Sequence, residues 1–164
     1  MITKIKQKGV YAVEFAIVGS LFFMLFFAVM IFFHVMFTWD VLTEVSRRGA
    51  RLATVCQVSQ NVGGPLFASD AVLNAAIDYD PISKESRMLR PLTKENLQIS
   101  YLDYAGNTAT TFTQIRLVHA KIVGYSYQLS IPFVDIPFLN SPSFSTTLPR
   151  ESFGVTRYGY TTCD

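Results

Sequence analysis

Leu21-Phe22-Phe23-Met24-Leu25-Phe26-Phe27 lies inside a run, Phe15 to Trp39, that contains no Asp, Glu, Lys or Arg. At about 25 residues the run corresponds to roughly 37 Å of α-helix, more than the ~30 Å hydrocarbon thickness of a bilayer. Lipid offers no partner to an exposed backbone N–H or C=O, so a segment of this kind has to be helical. Trp39 closes the run, where an amphipathic ring favours the membrane–water boundary. A secretory signal carries an apolar core of only about 7–15 residues, and no small-x-small cleavage site follows here, so the run reads as a retained anchor.

Half of the 164 residues are apolar, only 16% are charged and mean hydropathy is +0.30, which is too greasy for an ordinary soluble domain. The excess is local to the Phe15–Trp39 run. What remains reads as one domain of about 100 residues. A net charge of +2 without a basic stripe gives no footprint for nucleic acid. GxSxG, P-loop, HExxH and dinucleotide motifs are absent, so the chain reads as no enzyme. His34, His119, Cys56 and Cys163 are too scattered to form a ligand set, and neither a metal nor a cofactor is expected. His34 in the anchor and His119 in a strand read as structural. Asp78, Asp80 and Asp103 lie near turns, where carboxylates cap and solvate.

Lys4, Lys6 and Lys8 precede the anchor with no acid before Glu14, which favours a cytoplasmic N-terminus. Arg47, Arg48 and Arg51 on the far side weaken that rule. The cysteines support it, because a translocated domain permits a disulfide and a cytoplasmic one does not favour it. The expected arrangement is a single pass, N-terminus in the cytoplasm and C-terminal domain translocated.

The apolar stretch begins at Val10, so Glu14 interrupts it one turn in. An ionisable group at that depth costs a few kcal/mol unless paired, which invites a functional reading. The alternative is a side chain that snorkels to the headgroups. Lys8-Gly9-Val10-Tyr11-Ala12-Val13-Glu14-Phe15 resembles a type IV prepilin processing site, and in particular the TadE-like minor pilins of the tight-adherence (Flp) pilus system. Arg47-Arg48-Gly49-Ala50-Arg51 is similar to that family's Gly-Ala-Arg segment, and Thr147-Leu148-Pro149-Arg150-Glu151-Ser152 is a weaker echo of its final strand. The Phe-rich anchor and His34 depart from the family pattern. The resemblance implies cleavage between Gly9 and Val10 by a prepilin peptidase. It also implies pairing of Glu14 with the N-terminal amine of a neighbouring subunit. The implied partners are the lipid bilayer, the prepilin peptidase, other minor pilins, the major Flp-type pilin and inner-membrane platform proteins.

Beyond Trp39 the helix should continue. Val41, Val45, Gly49, Leu52 and Cys56 fall on one face, while Asp40, Glu44, Arg47, Arg48 and Arg51 populate the other. The arginines suit a solvated face, with an anionic-lipid patch as the rival reading. Gly63-Gly64-Pro65 should stop the helix near Asn61. A short helix over Ala71–Ile77, capped by Ser69 or Asp70 and ended by Asp80-Pro81, precedes a surface loop over 82–95. Leu97, Ile99 and Tyr101 alternate as a strand, and Asp103 to Asn107 turn the chain. The return run Ile115–Ile131 shifts its apolar phase at Val123-Gly124, as a bulge would. A third strand is expected at Phe144–Leu148 or Phe153–Tyr160. The doubled Ile-Pro-Phe between Ile131 and Leu139 has no regular reading, and suits either a fold-back onto the core or a contact for a neighbour or for lipid.

Pairing of Cys56 with Cys163 would close a loop of roughly 108 residues, for which loop entropy gives about 4–5 kcal/mol. Two free thiols are the alternative. The expected fold is α+β and pilin-like: a long transmembrane helix running into a small domain with a short helix and an antiparallel sheet. The boundaries are a leader over 1–9, a membrane helix over 10–39, its continuation over 40–60 and the domain over 61–164. The expected role is a minor pilin or pseudopilin in assembly of a Tad/Flp-type pilus. The alternatives are a type II secretion pseudopilin or a signal-anchored periplasmic binding protein or enzyme.

Overall fold

The computed structural model describes residues 8–60, 66–127, 130–131, 134–135, 139–160 and 163. One helix, α1, runs from Lys8 to Val55. Its 48 residues extend about 72 Å at 1.5 Å per residue, far longer than the rest of the domain needs. No proline interrupts it. The helix stops short of the expected end near Asn61, because two other partners claim its backbone first. The Phe153 N–H donates to the Thr54 carbonyl (2.9 Å) in the last turn. Just beyond, β1 (Ser59–Gln60) pairs antiparallel with β2 (Leu66–Phe67).

Helix α2 spans Asp70–Ile77. Ser69 caps it by accepting from the Val72 N–H, and Asp78 ends it in a left-handed conformation (φ 52°), before Asp80-Pro81 is reached. A short aspartate tolerates that conformation better than a bulky residue does. The segment 82–95 is not merely a surface loop. Ser86 is fully buried: its hydroxyl donates to the Ile77 carbonyl and accepts from the Met88 and Leu89 N–H groups. These bonds fold Leu89 and Leu92 into the core. Charged residues around them mask that role in the sequence.

Strands β3 (Leu97–Leu102) and β4 (Leu117–Ile122) pair antiparallel, with Leu97 opposite Ile122 and Tyr101 opposite Val118. The return run then departs from the expected bulge. Gly124 adopts φ +61°, the Val123 N–H turns to the Asn96 carbonyl, and the chain leaves the sheet. It resumes as β5 (Ser126–Tyr127), β6 (Ser130–Ile131), β7 (Val134–Asp135) and β8 (Leu139–Asn140). These form small antiparallel pairs, β5 with β8 and β6 with β7. The phase shift is real, with Val118, Ala120 and Ile122 buried, then Tyr125 and Tyr127. Its cause is a change of partner strand. Pro132, Phe133 and residues 136–138 of the doubled Ile-Pro-Phe, with both readings offered for it, lie outside the described residues.

Of the two candidates for a third strand, the first joins the sheet: β9 (Ser145–Pro149) pairs with β4, Val118 opposite Leu148. The second is a separate hairpin of β10 (Val155–Thr156) and β11 (Gly159–Tyr160). The architecture is α+β. The upper half of α1 lies across the β3-β4-β9 sheet, burying Leu42, Val45, Ala50 and Ala53 against Leu97, Tyr101, Val118 and Ile122. Cys56, buried just past α1, is bonded to Cys163, with Cα atoms 5.6 Å apart, so the chain's tail is tied to the top of the stalk.

Gly49 sets the closest approach of α1 to the domain. A Cβ there would stand 3.1 Å from Leu97 Cδ2 and 3.7 Å from Ala76 Cβ. Gly49→Val should therefore destabilise the domain by about 1–3 kcal/mol despite the better helix propensity of valine, read as a lowered denaturation midpoint. Replacing the disulfide with Cys56→Ala and Cys163→Ser should cost about 2–5 kcal/mol, and adding reductant to the unsubstituted chain should reproduce the loss.

Candidate functional site

Below the domain, α1 carries its large apolar side chains outward with no cover from any other described element. Phe15 is 80% exposed, Met24 74% and Leu21 69%. The rings stack along the helix instead: Phe22 on Phe26 and Phe23 on Phe27, each with centroids 6.3 Å apart. That is the i, i+4 neighbour relation of a helix surface. Among the described residues this is the one helix long and apolar enough to cross a membrane.

Gly9 and Val10 lie in its first turn, and Glu14 follows one turn on, exposed. Val10 and Glu14 share a helix face, about 6 Å apart along the axis. A Cβ built on Gly9 meets nothing within 4 Å, so no packing contact calls for a glycine there. The Glu14 carboxylate has no ion-pair or hydrogen-bond partner among the described residues. The other expected pair, Cys56 and Cys163, sits at the opposite end of α1, about 63 Å away along the axis. The structure therefore gathers the candidate residues into two groups, one at each end of the rod.

Between them is a junction that the sequence reading had not marked. Ile31 and Val35 touch the core, and Thr38 is 1% exposed, its hydroxyl donating to the His34 carbonyl (2.9 Å). The Trp39 ring leans on Phe144, with centroids 6.2 Å apart, so it packs against the domain. A cavity of about 340 Å³ opens here between the helix and the underside of the domain, lined by His34, Thr38, Arg90, Tyr125 and Tyr127 among others. The Tyr125 hydroxyl donates to the Arg90 carbonyl (3.2 Å), and burial pushes its pKa up to about 12, so it remains a neutral donor. Nothing local in the sequence announces this cavity, since its walls come from α1, the 82–95 segment and β5.

Above the junction, Arg47, Arg48 and Arg51 are exposed, and Arg48 pairs with Glu44 at 2.9 Å. That exposed i, i+4 ion pair suits the solvated face.

No curated protein and no solved structure matches the chain. A family model does match: TadE-like protein, over residues 9–51. The matched segment opens on Gly9, takes in Glu14 and the bare apolar half of α1, and closes on Arg51 just after Gly49 meets the sheet. From Gly9 to Arg51 the chain is thus similar to TadE-like proteins, over the long helix and not over the domain that follows.

Proposed function

We propose that the chain is a minor pilin or pseudopilin of a tight-adherence (Flp-type) pilus. It crosses the bacterial inner membrane once, N-terminus in the cytoplasm and domain in the periplasm. One observation carries the reading: the TadE-like helix leaves its lower half bare and apolar, with a single carboxylate one turn beyond Gly9 that has no partner among the described residues. Lipid is the solvent that such a surface requires. The disulfide is consistent with a domain in an oxidising compartment.

Cleavage after Gly9 by a prepilin peptidase would free the Val10 amine. The open space around Gly9 supports this, because a small residue with no packing duty suits a backbone that must enter a protease cleft. Two parallel copies staggered by one helical turn then bring the new amine of one beside Glu14 of the next. Each charge is costly alone in lipid and far less so as a pair, so pairing would fix axial register. The remaining partners in this reading are other minor pilins, the major Flp-type pilin and inner-membrane platform proteins, met through the lower helix and the exposed domain. No step calls for catalysis by this chain.

Intact mass of the membrane-extracted protein should correspond to a chain starting at Val10; a full-length mass would remove the processing step. Glu14→Ala should leave the domain's denaturation midpoint unchanged, to within about 0.5 kcal/mol, while lowering the number of assembled pili. An unchanged pilus count would remove the pairing role.

A further inference from the structure

The far end of the domain holds two guanidinium groups on one acceptor. Arg116 Nη1 donates to the Ile115 carbonyl (3.1 Å), and Arg150 Nη1 donates to the same oxygen (3.3 Å). The backbone fixes this pairing, because the Arg150 N–H bonds to the Arg116 carbonyl (2.9 Å) as β9 runs out beside β4. Each cation also lies over aromatic rings: Arg116 over Tyr104 at 5.4 Å, Arg150 over Phe112 and Phe153 at 5.5 Å each. Neither has a carboxylate partner among the described residues. The Nε and Nη2 donors of Arg116, and all but one N–H of Arg150, are left without a protein acceptor there. Two like charges held together, with spare donors and no counterion among the described residues, form a receptor for an anion.

The same two phenylalanines wall a shallow cavity of about 180 Å³, completed by Gln57, Val58 and Tyr160. Tyr104, under the Arg116 guanidinium, is 84% exposed. Arginine stacked on tyrosine and phenylalanine around a side-chain-sized hollow is the composition of protein-interface hot spots. A guanidinium fork matches the planar geometry of a carboxylate. Nucleic acid would need a longer basic track. Lipid headgroups are remote, since the Phe153 contact to Thr54 sets the cluster about 22 Å along the axis beyond Trp39, where the anchor is expected to end.

We propose that this end of the domain binds a protein segment that presents a carboxylate to Arg116 and Arg150 and an adjacent apolar side chain to the Phe112–Phe153 cavity. The inference stands apart from the pilus reading, and concerns residues outside the TadE-like segment.

N-acetylphenylalanine, a carboxylate beside one benzyl group, is a suitable probe for the full chain in detergent micelles, followed by NMR. It should shift the Nε–H signals of Arg116 and Arg150 and the ring signals of Phe112 and Phe153. The amide of the same compound should bind at least tenfold more weakly. Arg116→Gln with Arg150→Gln should reduce binding of the acid to the level of the amide, while Arg90→Gln at the other end of the domain should leave it intact. Equal binding of acid and amide overturns the proposal, as does unchanged binding by the double variant. Inorganic phosphate binding as tightly as the acid also overturns it, in favour of a bare anion site. If the double variant misfolds, the comparison of acid with amide on the unsubstituted chain decides.

Discussion

α1 is bare and apolar over its lower half and buried against the domain over its upper half, along one unbroken rod, and the rest of the fold follows from where it changes over. Its upper half is the floor of the core. A three-stranded sheet has one apolar face to cover, and here the cover is Leu42, Val45, Ala50 and Ala53 of the stalk. Full burial of a leucine or valine side chain contributes about 1.5–3 kcal/mol. The Arg48–Glu44 pair is about half-exposed on both sides and so adds a few tenths of a kcal/mol at most. Packing onto the stalk therefore decides the domain's stability, and the surface charges adjust it. Severed from α1, the sheet would present its inner face to water.

The changeover is managed without orphaned hydroxyls. Thr38, Thr43, Ser46 and Thr54 each donate to a carbonyl of their own helix, three or four residues back. These hydroxyls thus sit against the protein core with their donors satisfied locally, whereas the buried Trp39 Nε1–H has no partner among the described residues. Ser46 makes a further bond to Thr146 on β9, at 2.9 Å, which pins the edge strand to the stalk. Ser86 does the same for the segment after α2, turning a charged stretch inward around one buried hydroxyl.

Patterns with a short repeat were legible in the sequence. The apolar run, the stalk stripe through Val45 and Gly49, and the alternation of Leu97, Ile99 and Tyr101 each follow the period of one element. Each survives folding because its neighbours lie on that same element. The cysteine pair was legible for another reason, since two cysteines allow only one intramolecular bond. What escaped depends on partners distant in sequence. The end of α1 is set by Phe153 and by the β1–β2 pair, not by the Gly63-Gly64-Pro65 stop. The bend at Gly124 is a switch from β9 to β8 as pairing partner, which periodicity cannot distinguish from a bulge. The junction around His34 and the Arg116–Arg150 cluster each draw on several elements, so no window of sequence contains them.

The bond between Cys56 and Cys163 also fixes how the molecule bears load. Tension applied at the tail enters the rod through sulfur, just above its last turn, and passes down a continuous hydrogen-bonded helix to its lower end. The sheet hangs beside that line of force as a side loop of the covalent chain. Its strands are not pulled in series. Traction through the two ends of this chain would test a covalent bond and a helix, leaving the marginal noncovalent core unstressed.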